Sequence, residues 1–99
     1  MNDENYNGWS NHETWNIALW LYNNEDIYRH ATKAVDIYAR RGNISVTPEW
    51  AKAFVTIAFD ETFGDPKTPD GVDTNNPKID WNQISQTLSE FSSFDLVKS

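Results

Sequence analysis

Ninety-nine residues allow one hydrophobic core, because two domains in so short a chain would each be too small to stand alone. The chain has no Cys, which excludes disulfides, thiolate metal sites and cysteine nucleophiles. Fifteen acids against eight bases give a net charge of −7, which argues against direct nucleic-acid binding, where Lys and Arg must neutralise phosphates.

In chain order, residues 1–8, MNDENYNG, read as a flexible arm that lacks the basic and apolar regions of a signal peptide. Ser10-Asn11-His12-Glu13 then forms a capping-box pattern, with Ser10 accepting from the backbone of residue 13 and Glu13 reaching back. The helix it starts runs to about Asn23. Asn24 caps a second helix, with Glu25 and Asp26 on the positive end of its dipole. Arg40-Arg41-Gly42 ends it, cations suiting the negative end and Gly the left-handed position beyond. Residues 43–46 make a short extended connector, and Thr47-Pro48-Glu49 opens a third helix with Pro where a missing donor does no harm. Phe63-Gly64 closes it. Residues 64–79, GDPKTPDGVDTNNPKI, contain three Pro and two Gly and predict a long loop. Asp80 and Gln83 spell a second capping box, with Ile79 placed to staple onto Ile84. Trp81, Ile84, Leu88 and Phe91 form one stripe, and Phe94, Leu96 and Val97 fold back as a tail over the core. The expected fold is all-α: one compact domain over residues 1–99, about four helices, with the long loop before the last.

Aromatic residues dominate the expected core, with five Trp, five Phe and four Tyr. The first helix is apolar nearly all round, through Trp15, Ala18, Leu19 and Tyr22 on one face and Ile17, Trp20 and Leu21 on another. Its partners are Ile27, Ala31, Ala34 and Tyr38 on the second helix, and Trp50, Phe54, Ile57 and Ala58 on the third. This places Trp15 in the core and leaves one of Trp20, Trp50 or Tyr28 at the surface as an anchor for a partner.

No catalytic constellation emerges. His12-Glu13 begins like the zinc-protease pattern H-E-x-x-H, but position 16 holds Asn16. Asp60 and Glu61 are adjacent on a helix and point apart, so they make no carboxylate dyad. An EF-hand alignment with Gly71 at loop position 6 puts Pro66 where the first Asp belongs. The expectation is therefore no enzyme, no cofactor and no metal. No apolar run is long enough for a membrane span, so a cytoplasmic location is expected.

The run Gly8-Trp9-Ser10-Asn11-x-Glu13-Thr14-Trp15-Asn16, continuing to Ala18-Leu19-Trp20, Asn24-Glu25-Asp26 and Tyr28, resembles the signature of an uncharacterised family. A second block, Thr68-Pro69-Asp70-Gly71-Val72 with Pro77-x-Ile79-Asp80-Trp81, resembles the same family. The family is similar in size and is met mainly in bacteriophages and other mobile elements. The resemblance implies an origin, and hence a bacterial host cell, but no activity.

Origin and charge together lead to the expectation of a small, acidic, non-catalytic protein that binds a host protein with a basic surface. Its sharp form is inhibition of a defence system, as in anti-restriction or anti-CRISPR action. The expected docking residues are Asp60, Glu61, Asp65, Asp70 and Asp73, with Trp20 and Tyr28 as aromatic anchors. The alternative is a small-ligand or peptide-binding module with an aromatic pocket around Trp9, Trp15 and the 66–72 loop.

Overall fold

Each of four helices starts on a side chain that accepts a first-turn backbone N–H, as the orphan donors at a helix start require. The structure, a computed structural model, describes residues 8–42 and 46–91. Asn11 caps α1 (His12–Asn23), Asn24 caps α2 (Glu25–Arg40), Thr47 caps α3 (Pro48–Phe63) and Asp80 caps α4 (Trp81–Ser89). Gly64 ends α3 in the left-handed conformation, φ 85°, that a side chain would strain. The four expected helices are present, and the long loop separates α3 from α4. Residues 1–7 of the expected arm, 43–45 of the connector and the tail from 92 onward lie outside the described residues.

Both expected capping boxes are corrected. Asn11, not Ser10, caps α1, its Oδ1 accepting from the Thr14 N–H at 2.8 Å. The second box forms only by half. Asp80 accepts from the Gln83 N–H at 3.2 Å, but its own N–H donates to Thr14 Oγ1 at 2.8 Å instead of to the Gln83 side chain. In both cases a bond across the molecule replaces the local one.

The core lies where all four helices converge. Ile17 and Leu21 of α1, Ile27 and Ala31 of α2, Val55 and Phe59 of α3, and Ile84 and Leu88 of α4 are fully buried. On α2 the buried set Ile27, Ala31 and Val35 keeps a strict four-residue spacing along one face. Two core expectations are overturned. Trp15 is half-buried and stands outside the buried cluster, with its ring against His12 at 5.5 Å. Ile57 is 59% exposed, because α3 turns Ala51, Val55, Ala58 and Phe59 inward. The backbones of α1 and α3 stay apart, and Trp20 bridges them by meeting Phe63 edge-on at 5.9 Å. Among the described residues, no helix is long and apolar enough to cross a membrane.

The long loop is tied down from within. Lys67 and Asp73 pair as an antiparallel bridge, the Thr68 N–H donates to the Val72 carbonyl at 2.9 Å, and the Val72 N–H donates to Thr68 Oγ1 at 3.0 Å. Gly71, at φ 97°, turns the chain between them. Thr68, Val72 and Thr74 are buried, and Thr56 on α3 donates its hydroxyl proton to Thr74 Oγ1 at 2.9 Å. A segment rich in turn residues thus becomes a fixed platform at the N-terminal side of α4.

Candidate functional site

Most of the polar knot at the start of α1 reaches for the segment 70–83. Ser10 donates its hydroxyl proton to Asp80 Oδ2 at 2.7 Å and its backbone N–H to Gln83 Oε1 at 2.8 Å. The Ser10 hydroxyl also lies 2.9 Å from Gln83 Oε1, but its single proton favours the carboxylate, the stronger acceptor. Gln83 returns a bond through Nε2 to the Gly8 carbonyl at 2.9 Å. Asn11 caps its own helix with Oδ1 and donates Nδ2 to the Lys78 carbonyl at 2.7 Å. Thr14, fully buried, receives the Asp80 N–H. These residues hold the end of the loop and the start of α4 against α1. Their hydrogen bonds explain them as fasteners.

Asn16 and Trp20, one turn apart on α1, both donate to Asp70 Oδ2, at 2.9 and 3.0 Å. Asn16 is 1% exposed, and its Oδ1 has no hydrogen-bond partner among the described residues. Asp70 sits on the exposed turn of the loop, yet its carboxylate is engaged. The hydrogen bond from Asn16 and then that from Trp20 hold the Asp70 carboxyl below its ordinary value of 3.8, with the charge of His12 assisting and partial desolvation opposing. Since the folded value lies below the unfolded one, this stabilisation is complete above the ordinary value and is lost as pH falls through the folded value. Asp70→Asn should therefore melt below the parent by a constant margin at neutral pH, and the margin should narrow in acid. Melting curves between about pH 7 and pH 2 check this, and an unchanging gap would show that the carboxylate charge contributes nothing.

The residues expected to face a partner fall into two groups. Asp60, Glu61 and Asp65 are exposed at the C-terminal end of α3, and no side-chain hydrogen bond or ion pair holds them among the described residues. Asp70 is bonded as above, and Asp73 accepts the Asn75 N–H through Oδ1 at 2.8 Å, shaping the loop. Trp20 is half-buried and engaged through both its N–H and its ring. Tyr28 is 43% exposed and joins Tyr22 and Phe91 in an aromatic cluster, with ring separations of 6.2 and 5.1 Å. Burial, and then the nearby Glu90 carboxylate, raise the Tyr22 phenol above its ordinary value. Trp9 is half-buried and lines a shallow cavity of about 230 Å³ with Gln83, Gln86, Thr87 and Glu90. Trp15 lies against His12, while the turn of the 66–72 loop is occupied with Asn16 and Trp20.

A family of unknown function, DUF7249, matches residues 2–94. The chain belongs to that family. No curated protein and no solved structure matches it. In this DUF7249 chain the two blocks singled out in the sequence, around residues 9–16 and 68–81, prove to be partners. Their hydrogen bonds run from one block to the other through Ser10, Thr14 and Asn16 to Asp70 and Asp80. Reading each block alone assigned Asp80 and Gln83 to a local capping box. No short-range pattern could have paired them with residues some seventy positions earlier.

Proposed function

We propose that this protein is a small non-catalytic binding protein of phage or other mobile-element origin that docks on a host protein with a basic surface. The observation that carries the reading is the carboxylate edge of Asp60, Glu61 and Asp65, exposed and engaged by no side-chain hydrogen bond or ion pair among the described residues. These acids stand at and just past the C-terminal end of α3, where the helix dipole is already negative and where its last turn contains no basic residue. Local stability favours cations there, so the edge works against the fold. Residues that break a local rule without compensation elsewhere mark functional surfaces. The helix's own partial charge adds to the three carboxylates, and together they present a concentrated negative field to a partner. A nucleic-acid-binding host enzyme, whose groove must be basic, is the target class that best matches such an edge, and blocking it would disarm a defence system.

The edge can be neutralised without touching the bonded acids Asp70 and Asp73. The triple variant Asp60→Asn, Glu61→Gln and Asp65→Asn should keep or slightly raise the melting temperature, since it removes unfavourable charges from a helix end. Association with the protein captured from a host lysate should slow by about tenfold or more, and the parent's association rate should fall steeply with salt. Binding that ignores both salt and the triple substitution would overturn the reading.

A further inference from the structure

A second surface lies between α2 and α3. Along α2, His30, Ala34, Ile37 and Arg41 follow one another at helical spacing on the side facing away from the core. Along α3, Trp50, Phe54, Ile57 and Glu61 keep the same spacing, Trp50 and Phe54 also packing in part against the core. The two rows flank a pair of shallow cavities of about 290 and 270 Å³, one at each end of the helix pair. The helices run antiparallel, so His30 and Lys33 sit beside Ile57 and Glu61 at one end, and Arg41 beside Trp50 at the other. Ile37 and Ile57 are 49% and 59% exposed, an unusual display for large aliphatic side chains in a chain with so few.

The charges around this face are sorted by helix. On α2 it is basic at both ends, through His30 and Lys33 and then Arg41. On α3 it is acidic at one end, through Glu61, and aromatic at the other, through Trp50, while Glu49 and Lys52 lie on the outer flank. No ion pair engages Lys33, Arg41, Glu49 or Glu61 among the described residues. A surface of this kind is complementary to itself. We propose that the α2/α3 face is the contact between two copies of this chain, related by a two-fold axis that runs along the groove.

That axis lays α2 of each copy over α3 of the other, antiparallel, and keeps the ends in register. Lys33 then meets Glu61 across the interface, Arg41 meets the face of Trp50, and the exposed isoleucines close over one another. A two-fold axis running across the groove would instead stack α2 on α2, bringing Lys33 of one copy onto Arg41 of the other. Like charges set opposite one another disfavour that arrangement. The chosen axis also leaves the α3 C-terminal ends of both copies at the same end of the dimer, so that two carboxylate edges stand side by side. The inference does not rest on docking to a host protein, and either can fail without the other.

Sedimentation velocity over a range of concentrations tests it, with circular dichroism and melting curves confirming that each variant is folded. The parent should show a concentration-dependent dimer. Ile57→Lys, at a position exposed in the monomer, should weaken dimerisation by about tenfold or more while leaving the melting temperature of the dilute monomer unchanged. Lys33→Glu and Glu61→Lys should each weaken it by about threefold to tenfold, and the two together should restore it, because every swapped charge again meets its opposite. A parent that stays monomeric at millimolar concentration, or a dimer indifferent to Ile57→Lys, would overturn the proposal. A double charge swap that fails to restore dimerisation would overturn the axis.

Discussion

Phe59→Ala should lower stability by about 3–5 kcal/mol, the usual loss when a large buried aromatic is cut to a methyl group. Phe59 is fully buried, packs against Phe63 at 5.5 Å and belongs to the buried cluster that all four helices share. In a small domain with roughly 5–15 kcal/mol in total, such a loss is a large share of the stability. Trp15→Ala, by contrast, should lose only about 1–2 kcal/mol, the share that partial burial of its ring supports. Urea titrations of the two variants beside the parent give both values. A Trp15 variant less stable than the Phe59 variant would mean that the core is centred on α1's first turn and not where the helices converge.

The second large effect is expected at Thr14. Thr14→Val preserves volume in a fully buried position but removes the only hydroxyl that receives the Asp80 N–H. A part-buried donor at the head of α4 is then left without an acceptor, which costs about 1–3 kcal/mol. Ser10→Ala should cost less. Ser10 is exposed, so water can replace its hydroxyl at the Asp80 carboxylate. A Val variant as stable as the parent would show that the long bond from Thr14 is not holding the loop against α1.

The helices themselves were legible because their signals are local. Asn24, Thr47-Pro48 and Gly64 each act within one turn, and the chain stops and starts where they say. On α2, Ile27, Ala31 and Val35 stand out against charged neighbours, so the inward face can be read directly. On α3 it could not be read. Two apolar rows, one through Ala51, Val55 and Phe59 and one through Trp50, Phe54 and Ile57, lie side by side on the helix. Periodicity alone cannot say which row turns inward: the first is buried, while in the more aromatic row Trp50 and Phe54 pack only in part against the core and Ile57 is exposed. The fate of Trp15 followed from the same ambiguity on α1, where aliphatic Ile17 and Leu21 fill the core. The candidate site was legible only in part. That acids gather over residues 60–73 is plain in the sequence. Asp73 is held by a local turn through the Asn75 N–H, but that Asp70 is held by Asn16 and Trp20, while Asp60, Glu61 and Asp65 have no side-chain partner among the described residues, depends on how distant segments meet.

The bonds between residues 8–20 and the segment 70–83 span 50 to 75 positions of chain. Such contacts must overcome the entropy of closing a long loop before they contribute anything, which slows folding relative to bundles built from sequence neighbours. During synthesis α1 emerges well before its partners. Thr14 and Asn16 therefore wait, polar and unpartnered, while α2 and α3 are still being made. A chain interrupted before Asp80 has three helices' worth of sequence but no acceptor for Ser10 and no donor for Thr14. Native structure around α1 is decided by whether the segment 70–83 has been translated.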